Sequence, residues 1–373
     1  MKNYYLLTIA FIAVLVLVLA LPEQKVGKNA DLLKVSPPFT IGVFAKSLGG
    51  GARDLVFSPE GILLTSIPSS GKVVALPDKN GDGVADETKD TLVDLDGPHG
   101  LAFFEGKLYV AEKTRVARYN WDGAMLKASL DKVLFSLPYI NPGHSTRSIA
   151  FNEDGEMFIS IGSSCDFCFE KEPLLATVIV SDKDGNNPTL FAKGLRNTVF
   201  IAVNPQTQEL WGTEMGRDYL GDDLPPDEIN ILRKGSDYGW PNCYGNKVFD
   251  IQFNPSGNPD ICIGTEKPAY ETAAHSAPLG LAFIDSKQFP GDWQNDLLVA
   301  YHGSWGRAIP NGYKIVRLHI SGNEVLGEED FITGFLPAIT RPVDLVFDKY
   351  GSLYISDDRG GMVYKVIKKY KPL

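Results

Sequence analysis

The sequence predicts an all-β fold: a six-bladed β-propeller behind an N-terminal signal or anchor segment. The first reason is a unit that recurs six times. It is an apolar turn-in, a Phe- or Val-rich strand, a tight polar turn, then an aliphatic-aromatic strand ending in a small residue. The copies are ARDLVFSPEGILLTS (52–66), PHGLAFFEGKLYVA (98–111), TRSIAFNEDGEMFIS (146–160), NTVFIAVNPQTQELWGT (197–213), PLGLAFIDSKQFPGDWQNDLLVA (278–300) and RPVDLVFDKYGSLYIS (341–356). The second reason is punctuation: 37 Gly and 24 Pro break the chain into short runs, and helical periodicity is scarce after residue 30. The third is burial. One such sheet cannot cover both of its faces, whereas six around an axis cover each other and leave only short edges. A sandwich has no reason to repeat one motif six times.

Each copy is followed by another strand-like run: GKVVAL, TRVARYN, ATVIVS, EINIL, GYKIVRL and GMVYKVI. Copies start roughly 45 to 80 residues apart, the long intervals being padded by loops. The expected division is residues 1–22 as signal peptide or membrane anchor, 23–38 (EQKVGKNADLLKVSPP from Glu23) as a polar linker, and 39–373 as the propeller. Lys2 precedes an apolar run from Tyr4 to Leu21, long for a cleaved signal and near the lower limit for a membrane span. Export is expected, with the bulk extracytoplasmic, either released or held at the membrane through residues 4–21.

The chain carries 36 Lys plus Arg against 46 Asp plus Glu, a net charge of −10. That argues against a nucleic-acid surface, which needs a basic face. Four cysteines fit an exported chain. The expected pairs are Cys165–Cys168 and Cys243–Cys262, with a zinc site as the rival. Haem attachment at the C-x-x-C is excluded, because Phe169 stands where His is required.

In a propeller the loops entering each blade gather at one mouth of the channel. Arg53, His99, His144 with Arg147, Arg196 with Asn197, His275, and Arg341 with Asp344 stand just before the first strand of each unit. Such a ring of cations and imidazoles predicts an anionic ligand. The densest chemistry lies between Gly194 and Pro241: GLRN, ELWGTEMGRD, LPPDEINIL, DYGWP, with strand-like runs at 199–203, 209–213 and 228–232. A separate loop, Asp78-Lys-Asn80-Gly-Asp82-Gly-Val-Ala-Asp86, sets oxygen ligands at alternate positions around a glycine turn, a rhythm that suits Ca²⁺ or, on the plainer reading, a solvated turn. Lys89 stands where an EF-hand would carry its last Glu.

The motifs GPHGLAF, GHSTRSIAF, GLRN, PPDEIN with DYGWP, AHSAPLGLAF, GSWGR, and RPVDL followed by SDD stand in this order over roughly residues 45–367. Taken together they resemble the soluble glucose/sorbosone dehydrogenase family, the pyrroloquinoline quinone-dependent aldose sugar dehydrogenases of six-bladed propeller fold.

The resemblance implies oxidation of an aldose or related aldehyde, with hydride passing to the quinone and electrons going on to an external acceptor, a quinone or a cytochrome. It implies His144 as general base, with a near-neutral pKa expected. It implies Arg196 stabilising charge on the quinone oxygen, Asn197 beside it, and Asp227 as an acid next to substrate and cofactor. Calcium would be held by the backbone carbonyls of Gly216 and Arg217, and a second, structural calcium by Glu228 and Tyr238. Departures from the family are Val343 and Met215, where an arginine and a glutamine are usual, and His275 for a threonine. A cofactor lysine is replaced by Arg307 or His302, while Arg341 is kept as a carboxylate clamp. These match the sorbosone-type branch better. The alternatives are a calcium-dependent propeller lactonase or other hydrolase, and a propeller that only binds a partner.

Overall fold

A computed structural model describes residues 25–27 and 30–369. It is a ring of six antiparallel sheets. Blade I comprises Leu55–Phe57, Leu63–Ile67, Lys72–Leu76 and Lys89–Leu92; blade II comprises Gly100–Phe104, Lys107–Ala111, Arg115–Asp122 and Lys127–Ser136. Blade III comprises Ile149–Phe151, Glu156–Ile161, Thr177–Asp182 and Thr189–Lys193; blade IV comprises Thr198–Val203, Leu210–Glu214, Asp227–Leu232 and Tyr270–Thr272. Blade V comprises Pro278–Phe283, Leu297–Tyr301, Lys314–Ser321 and Glu324–Thr333. Blade VI comprises Pro342–Phe347, Leu353–Asp357, Met362–Lys368 and, from the other end of the chain, Phe39–Ala45. The first strands of the blades touch in chain order, and that of blade VI returns to that of blade I.

The six repeat units are thus the inner strands of six blades. The outermost strand of each blade escaped the repeat, because these strands share no motif. Phe39–Ala45, which pairs with Met362–Lys368 and closes the ring, is the clearest case. Within the stretch expected as a linker, Leu33 is buried and Lys34–Val35 pair with 332–333 on the edge of blade V. The expected signal or anchor, residues 1–22, lies outside the described residues. Among the described residues no helix is long and apolar enough to cross a membrane.

The strand period of two explains the stacking. Along blade V, Leu297 and Val299 face the cluster shared with blade IV, while Leu298 and Ala300 face the one shared with blade VI. Along blade III, Met157 and Ile159 pack toward blade II and Phe158 toward blade IV. Every second strand is buried on both sides, so it reads as a continuous apolar run. Both expected disulfides are present, Cys165–Cys168 and Cys243–Cys262, and no free cysteine remains among the described residues to hold zinc.

Polar side chains at the strand ends tie blade to blade. Asp344 Oδ2 accepts from the Leu55 amide and Asp54 Oδ2 from the Leu101 amide, both toward the next blade. Ser66 Oγ donates to the His99 carbonyl, Ser356 Oγ to that of Arg53, and Thr213 Oγ1 to that of Leu279. The residues that precede each inner strand are thereby held at one end of the ring.

Candidate active site

One cleft at that end, of about 280 Å³, is lined by His144, Arg196, Asn197, Met215, Gly216, Asp218, Asp227, His275 and Trp305, among others. His144 is half-buried on the loop entering blade III. Its Nδ1 lies 3.1 Å from the Ser163 carbonyl and 3.0 Å from Ser163 Oγ. Its Nε2 makes no hydrogen bond within the described residues. Burial, then the Arg196 charge, pushes its pKa down to about 4, with Asp166 opposing. The near-neutral value expected from the sequence is therefore corrected downward: the imidazole is neutral over the whole ordinary pH range. Gly162 makes room for it, since a Cβ there would come 2.6 Å from His144 Cβ and 2.9 Å from Asn197 Oδ1.

Arg196 is buried, and its guanidinium is already engaged. Nε donates to the Asp166 carbonyl at 3.0 Å, Nη2 to Asp166 Oδ1 at 2.6 Å and Nη1 to the Met215 carbonyl at 3.2 Å, with Asp218 at 3.6 Å. Asn197 takes its place through its amide, which donates to Glu214 Oε1 at 2.7 Å, and its buried Oδ1 has no partner. Asp227 is buried, which pushes its pKa up to about 6, and it accepts from the Gly216 amide (2.9 Å) and the Ala277 amide (2.8 Å), which work against that rise. It thus joins blade IV to blade V at the cleft floor. His275 has φ 62° and its Nε2 lies 2.9 Å from the Gly221 carbonyl.

The expected metal ligands Gly216, Arg217, Glu228 and Tyr238 line a small neighbouring cavity of about 30 Å³, together with Arg196, Glu214 and Asp250; it shares Arg196, Met215 and Gly216 with this cleft. Burial pushes Glu214 up to about 8 and Glu228 up to about 7. Glu228 accepts from the Gly245 amide at 2.7 Å and from Asn230 at 3.0 Å, whereas the Tyr238 hydroxyl turns to the Ile231 carbonyl at 2.6 Å. Buried carboxyls beside a small cavity fit a cation, whose charge would offset their desolvation.

The uniform cationic ring expected from the sequence is not what forms. Arg147 is fully buried and donates to the carbonyls of His144, Thr146 and Pro138. His99 is buried with Nδ1 3.1 Å from the Arg147 carbonyl, and burial holds it down to about 3. Arg53 pairs with Asp358 at 2.8 Å, as does His302 at 3.1 Å; Arg53, His99 and Asp358 line a second cleft of about 380 Å³ at the same end. Arg341 donates to the carbonyls of His302 and Gly303, and Arg307 to those of Asp222 and Ala274 and to Asp223. Neither Arg307 nor Arg341 lines the His144 cleft itself. The physical reason is that a desolvated guanidinium must satisfy its donors, and nearby carbonyls and carboxylates do so first.

Sequence reasoning missed Ser163, Asp166, Asp218 and Trp305. Ser163 stands just before the C-x-x-C and Asp166 inside it, the one signal that could have drawn attention to them. The 78–86 loop is closed on itself: Asp78 accepts from the amides of Asp82 and Gly83, Asn80 from Asp82, Asp82 from Val84, and Asp86 from Lys79. It borders a larger cleft, about 580 Å³, which lies at the opposite end among the 58–62 and 348–350 turns and whose described lining lacks histidine and arginine. The chemistry belongs in the smaller cleft, where a bare imidazole nitrogen, an engaged guanidinium and an unpaired amide oxygen meet. Such a set offers a positive field and two open acceptors, which suits a polar ligand that brings its own hydroxyl or N–H donors.

A family model described as TrAA12-like matches residues 33–369. An uncharacterized protein of Borreliella burgdorferi is 30% identical over 298 residues, which is 73% of this chain and 76% of that protein. A Hypocrea jecorina protein named a pyrroloquinoline quinone-dependent sugar dehydrogenase is 23% identical over 375 residues, 84% of each chain. The calcium structure of a Trichoderma reesei enzyme of carbohydrate-active family AA12 superimposes with a TM-score of 0.80 at 19% identity, covering 90% of this chain and 97% of that one.

Proposed function

The chain belongs to the TrAA12-like family, and on that premise we propose that it is an exported quinoprotein that oxidises aldose sugars or related aldehydes. Pyrroloquinoline quinone, when bound, supplies the two-electron acceptor, and Ca²⁺ polarises it. The observation that carries the reading is the arrangement of His144, Arg196 and Asn197 in one cleft, with His144 Nε2 bare and Asn197 Oδ1 unpaired.

His144 takes the proton of the anomeric hydroxyl on Nε2. Its neutrality suits a base, and its burial keeps bulk water from competing. Arg196, fixed by Asp166, presents a positive field where negative charge develops. Asp227 holds Gly216 and Ala277 at the cleft floor, and its carboxyl sits beside the reacting groups. The Gly216 and Arg217 carbonyls would hold the calcium, with His275, Arg307 and Arg341 supporting the carboxylate side of the cofactor. We assign Glu228 and Tyr238, and separately the Asp78, Asn80, Asp82 and Asp86 loop, to structural calcium. Trp305 and the 2-residue pair it forms with Tyr219, ring centroids 6.4 Å apart, frame the entrance for a small sugar. Electrons leave to an external quinone or cytochrome. The two disulfides fit an oxidising, extracytoplasmic setting.

The hydrolase reading would place free carboxylates around a central ion. Asp218 and Asp227 do line the cleft, but Asp227 is taken up by backbone amides, and Asp166, behind the cleft, gives Oδ1 to the Arg196 guanidinium. Reconstitution tests the proposal: the purified chain should gain dye-linked aldose oxidation with Ca²⁺ and quinone together. Absence of oxidation across a panel of sugars, with both bound, would overturn it.

A further inference from the structure

We propose that the Cys165–Cys168 hairpin is the positioning element of this site: through Ser163 it holds His144 in the tautomer that leaves Nε2 bare, and through Asp166 it holds the Arg196 guanidinium. The roles of His144 and Arg196 rest on the function proposed above; the geometry does not.

Both partners of His144 Nδ1 belong to Ser163. The carbonyl, at 3.1 Å, can only accept. The hydroxyl, at 3.0 Å, has its proton directed elsewhere, since Oγ donates to the Cys165 carbonyl at 2.6 Å. Its oxygen therefore faces the imidazole as an acceptor. Two acceptors at Nδ1 demand an N–H there, so the lone pair sits on Nε2, toward the cleft. The disulfide hairpin supplies the Cys165 carbonyl that turns the hydroxyl oxygen toward the imidazole and so reinforces the choice the Ser163 carbonyl makes.

Three residues on, the same hairpin reaches the second functional group. Asp166 accepts from Arg196 Nε through its carbonyl and from Nη2 through Oδ1. That carbonyl also takes the Trp240 indole N–H at 3.3 Å, and Oδ1 takes the Asp218 amide at 2.9 Å. The hairpin is itself pinned at both ends. Glu170 accepts from the Ser164 amide at 2.6 Å and from Ser164 Oγ at 2.7 Å. Phe167 lies under the Arg217 guanidinium at 4.6 Å, and Phe169 packs on Phe253 with ring centroids 5.1 Å apart. A short covalent ring between two such anchors restricts the backbone that carries Ser163 and Asp166, which is what a group within hydrogen-bond reach of a base requires. The other disulfide, Cys243–Cys262, touches neither residue.

The test uses the full chain and four variants: Cys165→Ser with Cys168→Ser, Ser163→Ala, Ser163→Thr and Asp166→Asn. Nitrogen-15 spectra of the imidazoles at neutral pH, taken without cofactor, report the tautomer directly. The charged groups bearing on His144 are Arg196 and Arg147, which disfavour its protonation, and Asp166, which favours it. Wild type should show a single Nδ1–H form. The double cysteine variant should show mixed tautomers and, once loaded with quinone and Ca²⁺, a kcat lower by on the order of tenfold or more with sugar KM within about twofold, the pattern of misplacement. Ser163→Ala should fall in the same direction but less, because the carbonyl remains, and Ser163→Thr should recover it. Asp166→Asn should weaken quinone binding. If the double variant does not fold, the Ser163 pair alone decides. A single Nδ1–H tautomer together with unchanged kcat in both the double cysteine variant and Ser163→Ala would overturn the proposal. A wild-type chain that oxidises no sugar would sink the proposed function, while the tautomer spectra would still decide the role of the hairpin.

Discussion

Asp344, at the inner strand of blade VI, accepts the backbone amide of Leu55, at the inner strand of blade I, with Oδ2 at 2.7 Å. This bond crosses the seam where the two ends of the propeller meet. Both Asp344 and its neighbour Asp54 are buried. Burial pushes Asp344 up to about 7, and burial together with the Asp344 charge raises Asp54 as well. A carboxyl whose pKa is raised on folding contributes stability below its unfolded value that is lost as pH rises through the folded one. Between pH 7.5 and 8.5 histidine is largely neutral in the unfolded chain as well as in the buried sites that hold it low, so the histidines contribute little, while the raised carboxyls, Glu214 at about 8 among them, still lose protons. The melting temperature of the cofactor-free protein should therefore fall across that interval. It should fall less in Asp344→Asn, whose amide oxygen can still accept from Leu55. A flat wild-type curve would refute the argument.

His144→Ala should lower kcat by about 10²- to 10⁴-fold, the range for a lost general base. Quinone binding, followed by absorbance, should persist because Arg196 and Asn197 remain. Turnover equal to wild type would remove His144 from the base role.

The acid limb of kcat/KM should have its inflection near the low pKa of His144, about 4, rather than near that of a free imidazole. Protonation disables the base, so activity drops as pH falls through this value and is flat from there to neutrality. An inflection between pH 6 and 7 would show that the loaded enzyme uses another group or a different His144 environment.

Leu298 is fully buried between blades V and VI. Leu298→Ala should cost about 2–5 kcal/mol in denaturant unfolding, the range for a core leucine cavity. Exposed Leu326 lies on the outermost strand of the same blade, and Leu326→Ala should move stability by roughly 0.5 kcal/mol or less. Comparable losses for the two would contradict the two-faced packing of the second strand.

Cys243→Ala with Cys262→Ala opens the longer of the two cross-links, whose ends are 19 positions apart in sequence. It should destabilise the chain by about 2–4 kcal/mol and leave the His144 tautomer unchanged. A change in that tautomer would mean that both disulfides, not one hairpin, shape the cleft.

Much of the architecture was legible in the chain because its signal is local. The inner strands repeat a pattern of turn and apolar residues that each blade needs for the same reason, and both cysteine pairs are close in sequence. The outermost strands were illegible because they face solvent or pair at an edge, where many residues serve; Lys127–Ser136 is largely exposed. In the cleft, His144, Arg196, Asn197 and His275 come together as their places before the inner strands implied. They are joined by Gly216, from the connection between the second and third strands of blade IV, and Asp227, at the head of the third, which only the family resemblance had pointed to. Arg307 and Arg341 stand one layer back.

The sequence by itself determined a ring of six sheets, two disulfides and which loops share a mouth, since burying both faces of a repeated strand pair leaves little choice. Only the tertiary structure decided which cations face that mouth and which are spent on carbonyls. Arg147 and Arg196 look alike in the sequence, each beside a small polar residue ahead of a strand. One is turned inward by three carbonyls, and the other is held at the cleft by Asp166 from the neighbouring hairpin. Such partners come from distant parts of the chain, and a guanidinium points to whichever acceptors folding brings within reach.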